Sequence, residues 1–226
     1  MLVLAHRGAN RQAPENTVPA MVRALAVGAD GVELDVHRTA DGALAVRHDA
    51  ETPVGPVTAL TRAELALALP EVPVLEAVLD VCRGRLVDVE VKDPDPRAVD
   101  ALVALLGARG GTDEVLVSSF HLLTVDRVRD LAPEIPSAFL SFGLDPLEAL
   151  DTAREHGHDA LHPDVWTLLR GDPVEVAERA HGDGMQVNVW TVNEADQLLR
   201  LRDAGIDGVV TDVPDLAREV LRACRR

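Results

Sequence analysis

Apolar and polar positions follow two alternating rhythms along this chain. Short apolar runs, read as strands, take turns with longer stretches whose apolar positions recur roughly every three to four residues, read as helices. Residues 2–5 form the first apolar run, and Ala20, Met21, Ala24, Leu25 and Val27 mark the first helix. Thr17 is placed to cap that helix and Gly28 to end it. Residues 31–36 form a strand with Val32, Leu34 and Val36 on one face and Glu33 and Asp35 on the other. A turn signal, Thr39-Ala40-Asp41-Gly42, leads into a second apolar strand over 43–47, which ends in His48-Asp49. Folded back as a hairpin, it returns His48 to the neighbourhood of Glu33 and Asp35.

Residues 49–73 are rich in Pro, Thr and Gly and predict an irregular connection holding one short helix over 62–69. Beyond it the alternation is regular. Helices are predicted over 75–81, 97–106, 122–131, 146–155, 174–181, 194–204 and 214–223. Strands are predicted over 86–91, 115–118, 137–140, 160–161, 186–190 and 208–210. Strands separated by helical crossovers run parallel, and eight such units predict an α/β fold of the (β/α)8 TIM barrel type. Residues 1–226 are expected to form a single barrel domain, with a short hairpin insertion over 37–73 after the second strand. An open doubly wound sheet is the alternative. Against it, no GxGxxG follows the first strand and no Walker A loop occurs.

Composition narrows the partners. The 226 residues carry a formal charge of −16, which argues against nucleic acid and against anionic membranes. A small anionic substrate remains admissible if a metal and a few cations make a local positive site. Cys82 and Cys224 lack any CxxC spacing, which fits a reducing compartment. No apolar run is long enough for a membrane helix, and MLVLAHRG has no basic leader region, so a cytoplasmic protein is expected.

In such barrels the chemistry gathers at the C-terminal strand ends. There the sequence puts His6-Arg7, Glu33 and Asp35, Glu90 and Lys92, Ser118-Ser119-Phe120, Trp190-Thr191 and Thr211-Asp212. Glu33 and Asp35 lie about 7 Å apart along one strand face, where two carboxylates repel unless a cation compensates. With Glu90 they make an all-oxygen set suited to one divalent cation, Mg²⁺ or Ca²⁺. The bland alternative is acidic residues on a wet face. Arg7 and Lys92 suit a phosphate, one as a fork and one as a point charge. His6 and His48 suit a general acid and a general base. Together the set points to phosphodiester hydrolysis.

These residues resemble a known family. His6-Arg7-Gly8, Pro14-Glu15-Asn16-Thr17, Glu33-x-Asp35, Thr39-x-Asp41-Gly42 and His48-Asp49 follow the order and spacing of glycerophosphodiester phosphodiesterases. The likeness continues through Glu90-x-Lys92, Ser118-Ser119-Phe120, Trp190-Thr191-Val192-Asn193 and Thr211-Asp212-x-Pro214. It implies a barrel enzyme that uses a divalent metal to cleave glycerophosphodiesters to glycerol 3-phosphate and an alcohol. It implies Glu33, Asp35 and Glu90 as metal ligands, and His6 and His48 as the acid–base pair. It implies Arg7 and Lys92 as phosphate contacts, and Phe120 and Trp190 as apolar pocket walls. It also suggests that the substrate's own glycerol hydroxyl attacks phosphorus first, giving a cyclic phosphate that water opens.

Two departures stand out. Residues 50–73 are a short version of an insertion that is often longer and covers part of the pocket. Asp88 stands where many members have Asn, either as a further metal ligand or as a barrel acid paired with Lys92. His37 is read as structural, His121 and His181 as surface residues, and the His156-x-His158 pair as helix-end histidines. His162 is read as lying near the pocket rim. Two other readings compete: a lysophospholipase D-like enzyme with an apolar groove for an acyl chain, and a non-catalytic phosphate- or metal-binding barrel.

Overall fold

The computed structural model describes residues 1–111 and 113–223. Strands covered on both faces need apolar residues at successive positions, and β1 (Leu2–His6) has them at Val3, Leu4 and Ala5, all buried. In α1 (Val18–Ala26) the Thr17 hydroxyl accepts the Ala20 backbone N–H, and Pro19 sits in the first turn where no N–H is needed. Then come β2 (Gly31–Arg38), β3 (Leu44–Val46) and a two-residue ribbon of β4 (Glu51–Thr52) and β5 (Gly55–Pro56). The helices α2 (Arg62–Ala68) and α3 (Leu75–Val81) follow.

The rest of the chain alternates: β6 (Leu86–Val91), α4 (Pro96–Ala108), β7 (Glu114–Ser119), α5 (Leu122–Leu131), β8 (Ser137–Ser141) and α6 (Pro146–Glu155). It continues with β9 (Ala160–Pro163), α7 (Val165–Arg170), α8 (Pro173–Gly182), β10 (Gln186–Val189), α9 (Ala195–Asp203), β11 (Gly208–Thr211) and α10 (Pro214–Ala223).

Eight strands, β1, β2 and β6 to β11, pair in parallel in chain order, and β11 pairs back with β1 to close the ring. The fold is thus the expected (β/α)8 barrel. The strand β3 lies outside the ring, antiparallel on the end of β2, with His37 opposite Ala45. That is the expected hairpin, and it carries His48 back over the barrel mouth.

The core sits between the strands and the helices. Val32, Leu34 and Val36 of β2 pack with Met21 of α1 and Leu75 and Val78 of α3. Since strand side chains alternate, Glu33 and Asp35 are left facing the barrel interior. Leu116, Ala138 and Ala160 form a further small cluster of buried apolar residues.

The structure departs from the sequence reading in three places. The 49–73 segment holds the β4–β5 ribbon as well as the expected helix, which Thr61 and Glu64 start with reciprocal side-chain-to-backbone bonds. The helix α7 went unread, because Val165–Arg170 is too short for its periodicity to stand out. The strand β9 runs two residues further than expected and so includes His162, while β10 stops at Val189 with Trp190 just beyond. Cys82 is a buried free thiol, pushed up to about 11 by burial, and Cys224 lies outside the described residues. Among the described residues no helix is long and apolar enough to cross a membrane.

Candidate active site

Strand register brings the predicted groups together. His6 lies opposite Glu33, Glu33 opposite Asp88, Asp35 opposite Glu90, and Glu90 opposite Ser118. Oxygen atoms of Glu33, Asp35 and Glu90, all buried, lie within 4.8 Å of one another. Above them opens a cavity of about 330 Å³ at the C-terminal strand ends, lined by His6, Arg7, His48, Lys92, Phe120 and Trp190 among others. A larger hollow of about 520 Å³ lies beside α4 and α5. Its walls are mainly aliphatic, with acids but no imidazole or cation, so the chemistry belongs to the smaller one.

Three acids this close cannot all ionise freely. Burial, then Asp35 and Glu90, push the Glu33 carboxyl well above its usual range. Burial and Asp35 push Glu90 up to about 7. Burial works in the same direction on Asp35, but Lys92, Arg7 and a hydrogen bond from Asn16 outweigh it and hold that carboxyl down. The contacts are short. Lys92 Nζ lies 2.9 Å from Glu90 Oε1 and 3.3 Å from Asp35 Oδ1. Asn16 Nδ2 donates to Asp35 Oδ2 at 2.7 Å. Arg7 Nε lies 3.2 Å from Asp35 Oδ2, off the hydrogen-bond line, while its Nη1 donates to Glu15.

The backbone also takes part. Arg7 and Asn16 both sit at φ 56, the left-handed region, which side chains other than glycine enter at a cost. That turn aims the Arg7 N–H at Glu33 Oε2, 3.1 Å away. Gly8 follows at φ 80, and a Cβ there would meet the Ala20 backbone at 2.7 Å, so nothing larger fits.

His6 and His48 are each held by an acid on one ring nitrogen. His6 Nδ1 lies 2.7 Å from Asp212 Oδ1, and His6 Nε2 lies 4.0 Å from Glu33 Oε2. His48 Nδ1 lies 2.8 Å from Asp49 Oδ1. Burial favours the neutral form of Asp212, but hydrogen bonds from His6, Asn10 and Asn193 overcome it and hold the carboxyl far below its usual range. His37 is structural, as expected: its Nδ1 meets Asp93 at 2.9 Å and its Nε2 meets the His48 carbonyl at 3.0 Å. Burial works against its charge, yet these two acceptors raise its pKa, and the ring fixes the backbone under His48.

Phe120 and Trp190 meet edge to face with centroids 5.4 Å apart, and Phe142 lies 6.1 Å from Trp190. Trp190 Nε1 donates to the His162 carbonyl, which fixes the indole. His121 and His181 are exposed, as read from the sequence. Asp88 is buried one layer below the acidic cluster, but Lys92 is not its partner. Ser118 Oγ donates to Asp88 Oδ1 at 2.7 Å and His162 Nδ1 lies 3.3 Å from Oδ2, because Lys92 folds onto Glu90 and Asp35 instead. His162 is correspondingly buried inside the barrel rather than at the rim.

The sequence points to no role for Asn16, Asp93 or Phe142 and marks Asp212 only as a strand-end residue. Asn16 stood inside a quoted motif, Pro14-Glu15-Asn16-Thr17, which was the one signal available. Asp212 stood at a strand end, but nothing local ties it to His6.

The match to the family model of the glycerophosphoryl diester phosphodiesterase family runs over residues 6–216. A glycerophosphodiester phosphodiesterase of Bacillus altitudinis is 32% identical over 242 residues, covering 96% of this chain and 97% of that protein. The crystal structure of a glycerophosphodiester phosphodiesterase from Parabacteroides distasonis aligns with TM-score 0.87 at 25% identity, over 100% of this chain and 98% of that one. An Oleispira antarctica phosphodiesterase, solved in complex with the product sn-glycerol-3-phosphate, aligns with TM-score 0.84 at 24% identity over 98% and 97% of the two chains. At that identity the last comparison speaks for the fold alone. With barrel, strand-end residues and family match running over nearly the same length of sequence, this chain belongs to the glycerophosphoryl diester phosphodiesterase family.

Proposed function

We propose that this protein hydrolyses glycerophosphodiesters to glycerol 3-phosphate and an alcohol, with one divalent cation, Mg²⁺ or Ca²⁺, held by Glu33, Asp35 and Glu90. The observation that carries the reading is the shared cavity: Glu33, Glu90, His6 and His48 all line it, and buried Asp35 closes the acidic cluster within 4.8 Å of the two glutamates. The donor set fits the ion, since it is all oxygen and burial together with its own repulsion raises the pKa of Glu33 and Glu90. When bound, a cation supplies charge neutralisation at the phosphoryl oxygens.

The chain's own groups do the rest. His6 and His48 each have Nδ1 turned to a carboxylate, which leaves Nε2 to exchange a proton with the substrate. One removes the proton of the attacking oxygen and the other protonates the leaving alkoxide. Arg7 and Lys92 line the cavity and hold the phosphate anion, turning from the acids they now neutralise. Phe120 and Trp190 wall the apolar side. The barrel acts as one catalytic domain, and its free buried thiol suits the cytoplasm.

The test is release of glycerol 3-phosphate from glycerophosphocholine. Activity is expected to vanish with chelator and return with Mg²⁺ or Ca²⁺. Glu33→Gln and His48→Ala are expected to be nearly inactive, and full turnover in chelator would overturn the proposal. The exposed Phe142, next to Phe120 and Trp190, favours a second substrate class, acylated glycerophosphodiesters, whose chain would lie along that rim. Parallel assays of soluble and acylated diesters decide between the two.

A further inference from the structure

A second group of ligand-type side chains lies on the outside of the barrel. Asp126 projects from α5, His156 caps the C-terminus of α6, and His158 follows just ahead of β9. Ligand atoms of the three lie within 4.8 Å of one another. His156 Nδ1 lies 3.0 Å from each Asp126 oxygen, and the two imidazoles stack with centroids 6.2 Å apart. The His158 side chain is 0% exposed. Its Nδ1 lies 3.0 Å from Ser137 Oγ. Its Nε2 points into the group, 3.2 Å from Asp126 Oδ1 but off the hydrogen-bond line, so this buried nitrogen has no hydrogen-bond partner. A buried polar atom in that condition costs stability unless something else meets it.

We propose that Asp126, His156 and His158 form a binding site for a borderline divalent cation of the zinc class, separate from the acidic cluster at the strand ends. Two imidazoles and one carboxylate are a zinc-type set of three protein ligands, with water in the fourth position. The nitrogen-rich donors select against Mg²⁺ and Ca²⁺, which prefer oxygen alone. Ser137 supplies the outer support such sites use: it accepts Nδ1–H of His158 and thereby leaves the lone pair on Nε2.

The spacing agrees as well. Zinc bonds of about 2.1 Å put tetrahedral ligand atoms roughly 3.4 Å apart, within a few tenths of an ångström of the nitrogen-to-oxygen distances here. Arg129 is the nearby cation that works against a metal, and its guanidinium is paired with Asp130 at 3.2 Å. A bound ion would clip α5 to the turn between α6 and β9. His158 lies before β9 and His162 within it toward the mouth, so the ion would act on the scaffold and not on the diester.

The experiment uses the full chain in excess Mg²⁺, which fills the acidic cluster, with Zn²⁺ as the probe. One zinc per chain is expected to survive dialysis and to raise the melting temperature. His156→Ala and Asp126→Asn, both at partly exposed positions that tolerate change better than buried His158, are expected to lose that zinc and keep diester hydrolysis. Ser137→Ala is expected to weaken zinc binding by about 10–100-fold. Cobalt(II) in place of zinc gives visible absorption bands expected to disappear in the same two variants. The proposal is overturned if the wild-type chain retains no zinc. It is equally overturned if both variants retain zinc that only Glu90→Gln releases.

Discussion

His6 and Asp212 are 206 positions apart in the chain, and their Nδ1 and Oδ1 atoms lie 2.7 Å apart. The contact exists because β11 closes the ring against β1, with Ala5 opposite Thr211. Asp212 also accepts from Asn10 and Asn193, so two amide donors fix the carboxylate besides the imidazole. It sets which nitrogen of His6 faces the cavity. Replacing Asp212 with Asn keeps the size but lets the ring bind in the wrong tautomer. A fall in kcat of about 10²–10⁴-fold is expected, with KM within a few-fold, since the loss is one of proton transfer and not of binding. Steady-state kinetics on glycerophosphocholine check this, and a change confined to KM would contradict it.

The acidic cluster makes stability depend on pH and metal together. Burial beside Asp35 raises Glu90 to about 7 and, with the other acids, raises Glu33 well above the ordinary range. A carboxyl whose pKa is raised by folding adds stability below its unfolded pKa of about 4.3, and that contribution is lost as pH rises through the folded pKa. In chelator the melting temperature is therefore expected to drop between about pH 5 and pH 8 relative to Glu90→Gln, which has no such proton to lose. A divalent cation bound at the cluster would replace the lost protons as counter-charge. The melting shift it causes should be larger near pH 8 than near pH 5.5, as thermal scans at both values will show.

Lys92 serves as the cluster's internal counter-ion, touching both Asp35 and Glu90. Lys92→Ala is expected to cost about 1–3 kcal/mol in chelator, below the full loss for a deeply buried pair because the ammonium is partly exposed. Divalent cation should recover most of that loss, and denaturant titrations with and without metal measure it. An equal loss in both conditions would mean that Lys92 and the ion do not compete for the same charge.

Leu102, on α4, is fully buried in the core between helices and strands and does not line the candidate active-site cavity. Leu102→Ala is expected to lower stability by about 2–5 kcal/mol through the cavity it leaves. kcat/KM, measured well below the transition, should stay within about twofold.

Much of this fold was legible because its strands are buried on both faces. Runs such as Val87, Val89 and Val91 of β6 stand out against helices whose polar faces meet water. The acidic cluster was legible for the same reason: on an otherwise apolar strand, Glu33 and Asp35 are conspicuous, and period two put them on one face. What escaped were long-range pairings. For Asp88 the sequence offers a metal-ligand role or a pairing with Lys92 on the same strand face, but Ser118 and His162 come from other strands, and only barrel closure brings His162 within reach. Asp93, which fixes His37, lies just past a strand end where no periodicity speaks for its direction. Short elements escaped too, since the six residues of α7 hold too few turns to display a helical stripe.

The two metal-type acids of β2 sit on a single strand that is paired on both sides, with β1 and with β6. A side-chain exchange there changes one group. A one-residue deletion or insertion before Glu33 would instead turn both carboxylates outward into the helical layer and drive Val32 and Leu34 into the cavity. Outside its two acids, this strand therefore tolerates an exchange of side chain better than any change of length. The 49–73 segment, whose β4–β5 ribbon pairs outside the ring, carries no such constraint on its length.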